Sequence, residues 1–322
     1  MKVIEITEVG GPEALTLAER DTPSPGPGEI LIRQTAVGLN FIDTYYRSGL
    51  YPMALPGVLG SEGAGVVEMI GKDVTRFKVG DRAAYAGGFG AYAEARVYPA
   101  DRAVRLPDGV SDELAAAVML KSMTAEFLLH RCFTVLPGHT VLIHAAAGGV
   151  GGLLVQWAKA LGARVIGTAG SSDKAAIARD HGADEIILYR QEDVAERVRA
   201  LTGGEGVAVA YDSVGRDTID GSLASLKRRG WLVTFGNASG PPPAIDPLRL
   251  MRGGSLILTR PTLVDYVSTT KELDASAAAV FEAIQTGAIH PQIGQRFALK
   301  DAADAHRALE GRETTGATLL IP

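Results

Sequence analysis

Between residues 119 and 262 one pattern recurs: a short apolar run of strand length, then a stretch with helical spacing. "TVLIHA", "ARVIGTA", "EIILY", "VAVAYDSV", "WLVTFG" and "SLILT" are the strand-like runs, and "GGLLVQWAKAL", "DKAAIARDHG" and "DVAERVRALTG" lie between them. Strands alternating with helices pair in parallel, so this segment predicts an α/β fold with a doubly wound parallel sheet. Such a sheet binds ligands outside the carboxyl ends of its strands, which directs attention to the loops that follow them.

The first of those loops is "HAAAGGVGG" (144–152), set between "TVLI" and "LLVQWAKALGA". A dinucleotide fingerprint uses one glycine for the turn, one for close approach to a pyrophosphate and one for helix–strand packing. The register here is Ala146-x-Gly148-x-x-Gly151, with alanine in the first position. Ala147, Gly148, Gly149, Val150 and Gly151 are the candidate cofactor-binding residues, with a helix starting near Gly149–Val150 whose N–H groups face an anion. A glycine-rich turn of some other α/β protein is the alternative, and the βα elements downstream favour the dinucleotide.

An NAD site carries an acid at the end of the second strand for the ribose 2′-hydroxyl. Here that strand, "ARVIGTA", ends at Thr168 and Ala169 without a carboxylate and runs into "GSSDKAA". Gly170 leaves room, Ser171 and Ser172 offer hydroxyls, and Lys174 offers a cation suited to a phosphate. Asp173 is the competing ribose acid, but its place before "KAAIARD" suits a helix N-cap better. The reading is NADPH, against the bland alternative of a solvated helix lysine.

The remaining sequence narrows the class. At 322 residues, with 46% hydrophobic and 21% charged, the chain suits about two soluble domains. A net charge of −5 argues against a nucleic-acid partner, and no apolar window is long enough to predict a membrane span. The start, "MKVIEITEVGGPE", does not read as a signal peptide. One cysteine, Cys132, reads as a structural thiol, and the six histidines show no ligand-like spacing, so no metal site is expected. Residues 1–118 read as mostly β, with "EILIRQTAVGL", "GAGVVEMIG" and "RAAYAGG" as strands. The last sixty or so residues read helix, strand, helix, strand, and are expected to pack onto the first segment.

With this order in view, the chain resembles the zinc-free quinone oxidoreductases, zeta-crystallin-like, of the medium-chain dehydrogenase/reductase superfamily, nearest their bacterial NADPH:quinone reductases. The resemblance runs nearly end to end and rests on "GLNFIDTYYRSGLYP" (38–52), "HAAAGGVG" (144–151), "QWAKALGA" (156–163), "YDSVGRDT" (211–218), "TFGN" (234–237), "TRP" (259–261) and the terminal "LLIP". It implies a GroES-like catalytic domain of residues 1–119 plus 263–322, with a Rossmann domain of residues 120–262 inserted and the cofactor in the cleft. It also implies a homodimer through the Rossmann domain, around "SLILTRP". Zinc alcohol dehydrogenases of the superfamily place a catalytic cysteine where this chain has Asn40 and a histidine where it has Ser61. Both ligands are absent, so zinc-assisted alcohol oxidation is disfavoured. A quinone is already a strong hydride acceptor, and positioning can suffice.

The resemblance places Asn40, Tyr45 and Tyr51 around the nicotinamide and acceptor, and leaves Tyr46 to packing and Asp43 to bonding turn amides. On spacing alone the tyrosines divide evenly between site and domain edge. Thr124 matches a threonine near the nicotinamide, although a threonine early in a helix is otherwise a cap or a packed hydroxyl, and "KSMT" stands where relatives often have "KGLT". Lys174 and Tyr189 match residues around the 2′-phosphate, and Ser213 lies near the adenosine or ribose, with a plain helix cap as its alternative. Phe235, Gly236 and Asn237 end the fifth strand, and Arg260 and Arg312 match cofactor-contacting arginines, though either alone would read as a surface ion pair. The basic run "LKRRG" (226–230) reads as closing a helix, where cations suit the dipole.

The sequence reading is thus a cytoplasmic, homodimeric, metal-free NADPH-dependent quinone oxidoreductase. Its rivals are a reductase of activated C=C bonds and a non-catalytic NADPH-binding protein, crystallin-like or RNA-binding. No residue stands out in the sequence as a general acid or base.

Overall fold

The computed structural model describes residues 1–322. It divides into two compact units: residues 1–123, 267–281 and 291–322 form the first, and residues 124–266 and 282–290 the second. No helix is long and apolar enough to cross a membrane.

The first unit is organised around the eleven-residue strand Glu29–Leu39. It pairs antiparallel with Glu62–Ile70, Ala95–Pro99 and Ala317–Ile321. Its inward residues Ile30, Ile32, Val37 and Leu39 are closed to solvent and pack with Val67, Tyr85, Tyr92 and Leu320. The Leu320↔Val37 register is what fastens the tail onto the first segment. A second sheet of three strands, Thr16–Glu19, Lys2–Ile6 and Gly57–Val58, adds Ile4 and Ile6 to the same core. Directly after Leu39 the chain turns into the helix Phe41–Arg47, which carries most of the polar residues described below.

The second unit holds the predicted parallel sheet. Its strands lie in the order Glu185–Leu188, Arg164–Ala169, Thr140–Ile143, Val207–Asp212, Leu226–Thr234 and Ile257–Thr259, which is 3-2-1-4-5-6 in chain order. All five pairings are parallel. The strand order reverses between Thr140–Ile143 and Val207–Asp212, so the Rossmann crevice falls at the ends of those two strands. Leu142, Ile166, Ile187, Ala210 and Leu232 fill the sheet's interior.

Three local expectations are corrected. "LKRRG" does not close a helix: the helix Ile219–Ser225 stops before it, and the run opens the strand Leu226–Thr234. Arg229 takes φ 59° and the register with Val207–Asp212 shifts there, so the basic residues form an irregularity in the strand. Asp173 is not an N-cap. Ser171 caps the helix Ser172–Asp180 by accepting from the Lys174 N–H, which places Asp173 inside the first turn. Thr124 stands in the last turn of Asp112–Phe127, not early in a helix.

Candidate functional site

On the second unit, the loop after Thr140–Ile143 leaves the strand through Ala145 at φ 51°, a left-handed turn that glycine usually takes. Ala146 is fully buried behind it. Gly148 caps the helix Gly149–Ala160 in extended conformation with no side-chain cap, so the first-turn N–H groups of Gly149, Val150 and Gly151 are left for a ligand. Gly151 admits no side chain, because a Cβ there would collide with the Ala145 carbonyl oxygen. The helix can therefore approach the turn closely, and this cradle fits a pyrophosphate.

The next crossing gathers the residues expected at a 2′-phosphate. Arg164–Ala169 ends without an acid, and Ala169 pairs with Leu188, which places Gly170 and Tyr189 side by side. A Cβ on Gly170 would sit 2.6 Å from the Tyr189 hydroxyl. Tyr189 is exposed, Lys174 half-buried, and Ser171, three residues before Lys174, is the helix cap. A cation, a phenol and a helix N-terminus thus share one corner of the sheet. Across the reversal, Gly236 packs on the Ser213 backbone, and Arg260 donates to the Gly236 carbonyl at 2.9 Å and to Thr234 Oγ1 at 3.0 Å. Ser213 is not a helix cap, since the following helix starts at Ile219. Phe235, Gly236, Asn237, Ser213 and Arg260 therefore meet at the carboxyl ends of three neighbouring strands.

A buried polar chain under the nucleotide loop escaped the sequence reading. Asp212 Oδ1 accepts from the Val214 and Gly215 N–H groups and from Thr218 Oγ1. Its Oδ2 accepts from Ser222 Oγ at 2.7 Å. With the Ser222 proton so committed, His144 Nε2–H donates to Ser222 Oγ at 2.9 Å, and His144 Nδ1 accepts from Thr168 Oγ1 at 3.2 Å. Thr168 Oγ1 in turn accepts the Ala145 N–H at 3.3 Å. Burial pushes the His144 pKa down, which agrees with a neutral ring. Histidine, serine and aspartate here are not a hydrolytic triad, because the serine lies between the other two and is closed to solvent. They hold the turn at Ala145. Each of His144, Thr168 and Asp212 ends or follows a strand at the crevice, and that shared placement is the signal a sequence could have given.

On the first unit, Asn40 and Asp43 form a capping box on Phe41–Arg47, with the Asn40 N–H donating to Asp43 Oδ2 at 2.9 Å. Asn40 Nδ2 donates to Glu62 Oε2 at 2.8 Å. Glu62, wholly buried, also accepts from Lys121 Nζ at 2.9 Å and from the Leu120 N–H at 2.6 Å. Because a carboxylate only accepts, Glu62 fixes which way the Asn40 amide faces. Asp43 does bond a turn amide, but its environment reaches further: Tyr92 donates to Oδ2 at 3.0 Å, and Ser61 Oγ lies 3.4 Å from Oδ1. Burial raises the Asp43 pKa to about 7, with the Asn40 N–H, Tyr92 and Lys121 opposing and Glu62 assisting.

Beside this cluster stands a run of edge-on rings. Tyr45 meets Tyr51 at 5.3 Å between centroids, Tyr51 meets Tyr46 at 5.5 Å, and Tyr46 meets Phe89 at 4.5 Å. Tyr45 is buried, whereas Phe89 is exposed in a Gly87–Gly90 turn. Phe89 is a further aromatic that the sequence reading missed, since nothing in "GGFG" marks its partner. Thr124 is half-buried, and Arg312 is exposed in the turn after Ala302–Glu310 on the first unit. Cys132 is half-buried with its pKa raised by burial, which suits a structural thiol.

Comparison with known proteins adds the following. Residues 26–108 match the alcohol dehydrogenase GroES-like domain, and residues 149–282 match the zinc-binding dehydrogenase domain. A quinone oxidoreductase of Pseudomonas aeruginosa is 53% identical over 100% of this chain and 99% of its own length. A 2-haloacrylate reductase of Burkholderia is 43% identical over 98% of each chain. The solved structure of Escherichia coli quinone oxidoreductase complexed with NADPH is 46% identical, covers 100% of both chains and superposes with a TM-score of 0.98.

Proposed function

The chain belongs to the quinone oxidoreductases of the medium-chain dehydrogenase/reductase superfamily, and we propose from its own residues how it works as an NADPH-dependent quinone oxidoreductase. The observation that carries the cofactor choice is the second strand's end: no carboxylate at Thr168–Ala169, with Lys174 and Tyr189 at the same corner. Ala147, Gly148, Gly149, Val150 and Gly151 would hold the pyrophosphate. Gly170, Lys174 and Tyr189 would hold the 2′-phosphate, and Ser213, Phe235, Gly236, Asn237 and Arg260 would line the remaining nucleotide. Asn40, Tyr45 and Tyr51 are assigned to the nicotinamide side and the acceptor, Thr124 to the nicotinamide, and Arg312 to the cofactor.

When bound, NADPH supplies a hydride from its C4 to the acceptor. The first unit is the catalytic one: Asn40, held by Glu62, offers a fixed amide, and the tyrosines offer ring faces on which a flat quinone can rest. Asn40 and Ser61 at the positions of zinc ligands support a metal-free reaction, since amide and hydroxyl oxygens are poor zinc donors. We further assign the protein to the cytoplasm and to a homodimer formed along Ile257–Thr259, an edge strand with one side unpaired.

Reduction of an activated C=C bond is the second reading, favoured by the similarity to a 2-haloacrylate reductase. Steady-state oxidation of NADPH and of NADH with a small benzoquinone, a polycyclic ortho-quinone and a 2-alkenal decides between them. Quinone-dependent turnover with NADPH preferred is the expected result. Turnover of the alkenal alone would move the function to double-bond reduction, and tight NADPH binding without turnover would leave a binding protein.

A further inference from the structure

We propose that Asp43 and Ser61 deliver the proton that the acceptor's oxygen takes up, with Asp43 holding it on Oδ1 and Ser61 Oγ handing it on. The inference deepens the quinone-reductase reading and rests on it.

Arg47 sets the direction of the hydrogen bonds that run through His306 and Tyr92 to Asp43. Its guanidinium is a donor only, and NH1 lies 2.9 Å from His306 Nδ1, so that nitrogen accepts and the ring proton sits on Nε2. Arg47 cannot turn away: it is 2% exposed, with NH2 on Glu310 at 2.8 Å and Nε on the Gly10 carbonyl at 3.2 Å. His306 Nε2–H therefore donates to the Tyr92 oxygen at 2.9 Å, and the one Tyr92 proton goes to Asp43 Oδ2 at 3.0 Å. The Asn40 N–H occupies the same oxygen. Oδ2 already accepts twice, so a proton on Asp43 has one place, Oδ1, and it faces Ser61 Oγ.

Other groups nearby do not compete. Glu62 is saturated by Asn40, Lys121 and Leu120. Tyr92 and His306 are locked in the chain above, and burial pushes the Tyr46 phenol up, away from proton donation. Asp43 is shut in at 1% exposure, so it reaches a substrate only through a neighbour, and Ser61 is the hydroxyl beside it. The 3.4 Å separation is long for a hydrogen bond, as is common before substrate draws such a pair together.

In the step, the acceptor gains an electron pair with the hydride. Its oxygen takes the Ser61 hydroxyl proton, Ser61 Oγ takes the Asp43 Oδ1 proton, and Asp43 is left as carboxylate. Water returns a proton to Asp43 once product leaves. Asp43 thus acts through Ser61, and the charges facing it are Arg47 beyond His306, and the Glu62–Lys121 pair.

The test uses Asp43→Asn, which keeps the shape and an acceptor for Asn40 and Tyr92, together with Ser61→Ala and Ser61→Thr. Three readouts are taken: kcat from pH 5 to 9 with benzoquinone, NADPH affinity by fluorescence, and the infrared carboxylic-acid band of the protein without cofactor. Asp43→Asn and Ser61→Ala should each lower kcat at pH 7 by about 10²-fold, with NADPH affinity unchanged and the limb falling above neutral pH abolished. Ser61→Thr should restore most of the rate. The acid band should vanish in Asp43→Asn and shift in Ser61→Ala. Unchanged kcat and pH profile in Ser61→Ala, or no acid band at pH 6, would overturn the proposal. Should no quinone be turned over by the wild type, the quinone reading fails. The band and the 2-alkenal kinetics would then still judge Asp43 and Ser61.

Discussion

Lys121 donates its Nζ to Glu62 Oε2 at 2.9 Å with 8% and 0% of the two side chains exposed, so the pair is an ion bridge sealed in the first unit. Removing one partner of such a bridge leaves a charge without water or counter-ion, which costs about 3–5 kcal/mol. Lys121→Met is accordingly expected to lower unfolding stability in urea by that order. It should also loosen Asn40, which depends on Glu62 for its orientation. A loss below about 1 kcal/mol would mean that the pair contributes no more than a surface bridge.

The acid–base behaviour of two buried groups pulls in opposite directions. His306 has its pKa lowered from 6.5 to about 3, chiefly by burial and then by Arg47, so the fold favours its neutral form. That contribution is complete above 6.5 and is lost as pH falls toward 3. Asp43 has its pKa raised from 3.8 to about 7, so the fold favours its protonated form, and that contribution is complete below 3.8 and lost as pH rises through 7. Between about pH 4 and 6.5 the two slopes oppose, each worth roughly 1.4 kcal/mol per pH unit. Asp43→Asn should therefore make stability climb more steeply with pH than in the wild type across that window, and His306→Asn should make it climb less. Parallel curves for all three proteins, measured by urea unfolding at half-unit intervals, would show that neither group titrates out of step with its unfolded state.

Ser222→Ala should cut the chain beneath the nucleotide loop, leaving His144 Nε2–H and Asp212 Oδ2 without the hydroxyl between them. Stability is expected to fall by about 1–3 kcal/mol, the cost of stranding buried polar groups. NADPH should bind more weakly, because the Ala145 turn hangs from the same chain through Thr168. An unchanged unfolding midpoint would show that the network is dispensable.

The sheet is legible in the sequence because each parallel strand is a compact apolar run and each crossover helix fits between two of them. The helix start in the glycine loop is legible too, because it follows from local turn geometry. The network of Thr168, His144, Ser222 and Asp212 is not, since its members come from separate segments that meet only once the 3-2-1-4-5-6 order is set. The same holds for Asp43: Tyr92, which bonds it, lies 49 residues along the chain, and His306, which bonds Tyr92, comes from the tail helix, so only folding brings them together. "LKRRG" misleads because a basic run suits a helix end and an irregular strand equally, and only the pairing with Val207–Asp212 decides.

Lys174 gives the sharpest test of the cofactor site. Its backbone N–H serves the Ser171 cap and survives any side-chain change, so Lys174→Ala removes the ammonium without removing the helix start. An ammonium–phosphate contact is charge-assisted, worth about 1.5–3 kcal/mol, or roughly 10–100-fold in binding. The kcat/KM for NADPH is expected to fall by that factor, while the value for NADH, which has no 2′-phosphate, stays within about twofold. Tyr189→Phe should act in the same direction and more weakly, because a phenol is a single neutral donor. Equal losses with both cofactors would place Lys174 in the support of the helix, and no loss with either would return it to solvent.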